Sequence, residues 1–235
     1  MALAMLMAAA GCGGGGGATK HEHHGHHGHH GQHGQHGHDG DMPHRFDDAE
    51  RWAKVFDDPD RDRWQKPGEV VAALALQPGM TVVDLGAGTG YFLPHLAAAA
   101  TQVIALDVEP SLVTHMQQRV IDAKLGNVDV RLAALDDPGL PDGSVDRILI
   151  VDTWHHLGDR VAYARKLARA LRPGGFVLVV DFTLQSTMGP PPTMRLAPEA
   201  VAAELGKAGL VAHVAGDDDD ELPEQYLVSG SLPAR

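Results

Sequence analysis

The sequence has a single cysteine, Cys12. That excludes an intramolecular disulfide and any zinc site built from several cysteines. Basic residues are scarce: Lys plus Arg is 19 against 31 for Asp plus Glu, a formal net charge of −12, and aromatic residues make up 5%. A general nucleic-acid binder needs clustered Lys and Arg for phosphate contacts, so that class is disfavoured. No run of 18 apolar residues occurs, which excludes an internal membrane-spanning helix of ordinary length. Hydrophobic residues at 43% suffice for a globular core and exclude disorder of the whole chain. At 235 residues there is room for one domain of roughly 150–200 residues plus tails.

The first 46 residues do not resemble the rest. Met1 to Ala10 is short and apolar, and Gly11-Cys12 follows. This segment, 1–12, resembles the lipobox of a bacterial lipoprotein signal, in which the cysteine becomes the lipidated first residue. No Lys or Arg precedes the apolar run, although a secretory leader supplies one. Two readings stand: a lipid anchor at Cys12 with the protein at a membrane, or an incidental cysteine in a low-complexity tail with the domain in the cytoplasm. Residues 13–46 read as a Gly/His-rich linker. Of the 16 histidines, eleven lie between His21 and His44, interleaved with glycine. Such a tract cannot build a core. It binds divalent metal ions in many geometries without a fixed ligand set, so metal capture and a polar linker are both open.

Residues 47–235 read as one folded domain. Apolar spacing over Asp47–Phe56 predicts a helix, ended by Asp57-Asp58-Pro59-Asp60. Glu69–Leu76 predicts a second. From Met80 onward strands and helices alternate. Strands are predicted at Thr81–Leu85, Gln102–Leu106, Val128–Leu132, Val145–Val151, Gly175–Phe182, Leu210–Val214 and Gln225–Ser229, the last two as a hairpin. Helices are predicted at Leu93–Ala100, Leu112–Lys124 with Ser111 as cap, Arg160–Leu171 and Pro198–Ala208. Near-continuous apolar strands alternating with helices imply a doubly wound α/β fold, with a mostly parallel seven-stranded sheet covered on both faces. The acidic run Asp217–Glu221 reads as a solvated loop.

The strongest motif is Val82-Val83-Asp84-Leu85-Gly86-Ala87-Gly88-Thr89-Gly90. A buried strand ends at a turn of three glycines, which lets a ligand approach the backbone closely. The dinucleotide fingerprint G-x-G-x-x-G does not fit, because the third glycine comes one residue early. Asp84 would repel a pyrophosphate and attract an ammonium.

This stretch resembles the first motif, D-x-G-x-G-x-G, of the class I S-adenosylmethionine-dependent methyltransferases of the small "type 11" kind. The resemblance runs over roughly residues 66–185. It implies that Gly86, Ala87, Gly88 and Gly90 surround the methionine part of S-adenosylmethionine, with Asp84 organising the loop and the ammonium. Asp107, 17 residues after Gly90, takes the ribose diol, and Val108 follows it. Leu135, Asp136 and Asp137 fall where the family contacts adenine. Leu140-Pro141-Asp142-Gly143-Ser144-Val145-Asp146 matches the approach to strand four, with Asp146 structural. Leu171-Arg172-Pro173-Gly174-Gly175 matches the turn before strand five.

Val151-Asp152-Thr153-Trp154-His155-His156 lies where the methyl acceptor is expected. Asp152 orients a histidine or contacts the methionine moiety. His155 and His156 are the candidate bases, and alternation along a strand would point them apart. The Asn-Pro-Pro-Tyr signature of base and glutamine methylation is lacking, and one cysteine excludes the arsenic methylators. No metal site is expected in the folded domain.

The expected activity is transfer of a methyl group to a small-molecule acceptor, with no nucleic-acid partner. The competing reading is a membrane-anchored, His-rich metal-binding protein whose α/β domain only binds ligand. The acceptor and the oligomeric state are not written in the sequence.

Overall fold

A computed structural model describes residues 49–215 and 222–233. Cys12, the His21–His44 tract and the acidic run Asp217–Glu221 lie outside the described residues.

Three short helices come first: α1 (Ala49–Phe56), α2 (Arg61–Gln65) and α3 (Pro67–Ala73). They precede β1 (Thr81–Leu85), α4 (Leu93–Ala99), β2 (Gln102–Asp107), α5 (Pro110–Asp122), β3 (Val128–Leu132) and β4 (Val145–Val151). A 3₁₀ turn, Trp154–His156, leads to α6 (Arg160–Ala170) and β5 (Leu171–Phe182). The described chain ends with α7 (Pro198–Lys207), β6 (Val211–Val214) and β7 (Gln225–Ser231).

The seven strands form one sheet in the order β3-β2-β1-β4-β5-β7-β6. The first five are parallel, and β7 runs antiparallel between β5 and β6. Consecutive residues of a strand point to opposite faces, and here both faces are covered. Ile148, Ile150, Val177 and Val179 pack on one side with Leu167 of α6 and Leu205 of α7. Leu149, Val151, Leu178 and Val180 pack on the other with Leu93 of α4 and Met116 of α5. Each such side chain contributes about 1.5–3 kcal/mol on burial, and that is why these strands are apolar runs rather than alternating ones.

The strand order reverses between β1 and β4. Ligands bind beyond the carboxyl ends of strands at such a switch point. Four strands end there on an aspartate or one residue past it: Asp84 on β1, Asp107 on β2, Asp152 after β4 and Asp181 on β5.

The elements depart from expectation in three places. Helix α2, with the sequence RDRWQ, falls in a stretch where no element was expected. Helix α5 starts at Pro110 with Glu109 as its cap residue, so Ser111 lies inside the helix; proline suits the first helical position because its missing N–H is unneeded there. Strand β5 begins at Leu171, with a register break between its pairs to Val145 and Arg147 that takes up the Pro-Gly-Gly segment. A side chain on Gly175 would meet the carbonyls of Arg172 and Asp146 at 2.9 Å, so this segment is tied to the sheet more closely than a free turn.

Candidate active site

The glycine turn after β1 is fastened to the end of β2. The backbone N–H groups of Gly86 and Ala87 both donate to the Leu106 carbonyl, at 2.8 and 3.0 Å. Gly88 N–H donates to Asp107 Oδ2 at 2.8 Å, and Glu109 N–H to Asp107 Oδ1 at 3.0 Å. The Val108 N–H also bonds this carboxylate, and of its four acceptor positions one stays open to a hydroxyl. Burial pushes the Asp107 pKa up against the pull of these N–H groups.

Glycine is required in this turn. Gly86 has φ +74°, and a Cβ there would lie 2.4 Å from the Thr153 side chain. At Gly90, φ +82°, it would lie 2.7 Å from Leu93. Asp84 lies below the turn, 2% exposed. Its Oδ2 is buried without a hydrogen-bond partner among the described residues. Burial lifts the Asp84 pKa to about 7, Arg61 pulls it down, and Asp107 adds to the lift.

Helices α1 and α2 lie over this turn. Phe56 stands 3.6 Å from where a Gly88 side chain would be. Asp57 accepts from Thr89 Oγ1 at 3.0 Å and from Arg119 at 2.7 Å. Tyr91 donates its hydroxyl proton to Asp62. Arg61 is mostly buried and stacks over the Tyr91 ring at 4.0 Å. It donates to the Phe56 carbonyl and twice to Gln65 Oε1, and it lies 3.9 Å from Asp152. Gln65 donates to Gln225, and Gln225 donates to Asp152, each at 2.5 Å. A polar chain thus links α2, the start of β7 and the end of β4. Desolvation lowers the Arg61 pKa, with Asp152 foremost among the groups opposing the shift.

Asp152 leaves β4 in the left-handed region, φ +52°. That conformation costs a non-glycine residue of order 1 kcal/mol, although aspartate tolerates it better than most. It turns the chain sharply into the 3₁₀ turn. His155 and His156 are therefore not on a strand, and the expectation that their rings point apart fails: the centroids are 4.1 Å apart. His155 Nδ1 lies 3.0 Å from both oxygens of Asp181, and both side chains are 2% exposed. Desolvation raises the Asp152 pKa to about 7, Asp181 adds to this, and Arg61 and His155 oppose it.

The adenine-side candidates are more open. Val108 is 45% and Leu135 79% exposed. Asp137 accepts from Gly139 N–H and from Lys166 of α6, at 2.8 and 3.1 Å, and Asp136 accepts from Lys166 through its carbonyl. Asp146 is engaged with Thr81 N–H and Arg172 in holding the sheet.

Residues 83–179 match the family described as "Methyltransferase domain". A probable S-adenosylmethionine-dependent methyltransferase of Mycolicibacterium smegmatis is 36% identical over 101 residues, 43% of this chain and 37% of that protein. A ubiquinone biosynthesis O-methyltransferase of Xanthomonas campestris is 32% identical over 108 residues, 46% of this chain and 45% of that protein. The chain thus spans less than half the length of these curated relatives. The crystal structure of a SAM-dependent methyltransferase from Aquifex aeolicus superimposes with a TM-score of 0.71 at 28% identity, covering 78% of this chain and 97% of that one. Over residues 83–179 the chain is thus similar to S-adenosylmethionine-dependent methyltransferases.

The cofactor of such a methyltransferase domain is S-adenosylmethionine, and the residues present fit it. The orphaned Asp84 oxygen suits an ammonium, Gly86 and Gly90 leave no room for side chains, and Asp107 keeps an acceptor position for a ribose hydroxyl. Sequence reasoning missed Arg61, Gln65, Asp181 and Gln225. Asp181 carried a signal: Val180-Asp181 repeats the Val-Asp endings of β1 and β4. Arg61 and Gln65 carried none, since α2 is too short to show apolar periodicity.

Proposed function

We propose that the chain is an S-adenosylmethionine-dependent methyltransferase acting on a small-molecule acceptor. The observation that carries this reading is the buried, partnerless Asp84 oxygen beneath a glycine turn that Asp107 fastens in place. An unsatisfied buried carboxylate oxygen costs free energy that only a positively charged or donating ligand group returns.

Bound S-adenosylmethionine supplies an electrophilic methyl group. Asp84 would hold the ammonium, and Asp107 a ribose hydroxyl. The glycine turn brings backbone close, and Val108 with Leu135 offers apolar surface to the adenine, near Asp136 and Asp137. Asp152 and the two histidines then face the acceptor's side of the cleft. The protein's contribution is chiefly alignment of the two reactants, plus removal of a proton where the acceptor carries one.

Calorimetric titration with S-adenosylmethionine and S-adenosylhomocysteine tests the reading. Micromolar binding that is lost in Asp107→Ala is the expected result. No heat at millimolar cofactor would remove it. The sequence readings of Cys12 as a lipid-bearing residue and of His21–His44 as a metal-binding tract stand as separate proposals. Palmitate labelling with a Cys12→Ala control decides the first.

A further inference from the structure

Asp181 is the one strand-end aspartate to which the proposed function gives no part. It lies on β5, between β4 and β7, with its side chain 2% exposed. Phe182 N–H donates to its Oδ1 at 2.9 Å, which fixes the carboxylate in the plane it presents to His155. Both oxygens then lie 3.0 Å from His155 Nδ1. An ionised carboxylate only accepts, so Nδ1 carries the proton of the neutral ring, and the lone pair resides on Nε2. Among the described residues the hydrogen bonds drawn to this ring all run from Nδ1.

A second observation lies on the same face. Tyr226 pairs with Asp181 in register across β5 and β7, and directly opposed residues share a face. Its hydroxyl is buried without a hydrogen-bond partner among the described residues, and burial with Asp181 beside it pushes its pKa up. An orphaned hydroxyl on the face shared with Asp181 offers a hydrogen-bond donor to a ligand oxygen. Asp152 also faces these groups, its field reaching Asp181, His155 and Tyr226; Glu204 and Glu199 of α7 act on Tyr226, and the His156 ring lies against His155.

We infer that Asp181 is the positioning residue that makes His155, rather than His156, the proton acceptor of the cleft, and that the acceptor molecule offers a hydroxyl. This rests on the methyltransferase reading above. An unprotonated amine already has its lone pair, and a thiol with a pKa near 8.5 ionises appreciably unaided. A hydroxyl of pKa near 10 or above needs its proton taken as it reacts. In the step, the hydroxyl oxygen forms a bond to the methyl carbon. The carbon–sulfur bond breaks with its electron pair passing to sulfur. The hydroxyl proton moves to His155 Nε2, which later returns it to water. Asp181 stays ionised and stabilises the imidazolium.

The test uses the full chain with ¹⁵N-labelled histidine rings, and His155→Gln identifies the signal. The expected spectrum of the wild type above neutral pH has Nδ1 protonated and Nε2 bare at His155. In Asp181→Asn the carbonyl stays on Phe182 N–H and the amide turns its N–H to Nδ1, so the proton moves to Nε2. Turnover is followed with methyl-labelled cofactor and three probes: catechol, benzylamine and thiophenol. Transfer to catechol is expected to fall about 10²–10⁴-fold in Asp181→Asn and in His155→Gln, with S-adenosylhomocysteine affinity unchanged within twofold. A wild-type His155 protonated at Nε2 overturns the inference whether or not Asp181→Asn folds. Transfer to benzylamine or thiophenol alone, equal in wild type and Asp181→Asn, also overturns it. Loss of cofactor binding in the wild type fails the methyltransferase reading instead, and the ring spectrum still decides the role of Asp181.

Discussion

Asp84 concentrates the electrostatics of the cleft. Its carboxyl keeps a proton up to about pH 7 in the folded chain and loses it near 3.8 in an unfolded one. Between those values the folded state binds more protons, so this group's contribution to stability falls as pH rises from about 4 to 7 and is flat above. The ammonium of the cofactor prefers the ionised form. Two results follow for wild type minus Asp84→Asn: the thermal midpoint difference declines from pH 5 to pH 8, and S-adenosylhomocysteine binding tightens over the same range with proton release. Calorimetry in two buffers of different ionisation enthalpy measures that release. A wild type and variant with parallel pH profiles would remove Asp84 from this role. At the same scale, the positions of the two histidines were unreadable in sequence for one reason. Alternation assumes that the strand continues, and the left-handed turn at Asp152 ends it first.

At the scale of elements, the parallel strands were legible because burial on both faces demands near-continuous apolar residues. Thr81–Leu85 and Val145–Val151 fall where the sequence places them. The cap was only partly legible. Helix α2 owes its place to Arg61, Gln65 and Trp64, which make long-range contacts with Asp152, Gln225 and Phe182. Such partners leave no periodic trace. Removing the guanidinium by Arg61→Ala leaves Asp84 and Asp152 without their facing cation and frees α2 from Phe56 and Tyr91. A loss on the order of 3 kcal/mol is expected at pH 8, with less at pH 5, where both carboxyls take up protons. Urea unfolding at the two pH values measures it. Equal losses at both would show that Arg61 acts through packing alone.

Across the whole molecule, the cleft is assembled from distant parts of the chain. Arg61 precedes the sheet, and Gln225 lies on the strand nearest the end of the described chain, yet both reach Asp152. A fragment ending at Val179 would lack α7, β6 and β7 and expose the β5 edge together with Val177 and Val179. It is expected to lose cooperative thermal unfolding, which circular dichroism would record. A sharp transition in that fragment would show that the parallel half folds alone.

The stretch that matches the methyltransferase family ends two residues short of Asp181 and begins well after Arg61. Asp84, the glycines, Asp107 and both histidines fall inside it, whereas Arg61, Asp181, Gln225 and Tyr226 fall outside. Kinship over that stretch therefore carries the methyl donor from one relative to the next and says nothing of the recipient. Two chains alike there can differ in what receives the methyl group, because Asp181 and Tyr226, which flank His155's side of the cleft, lie beyond the shared stretch.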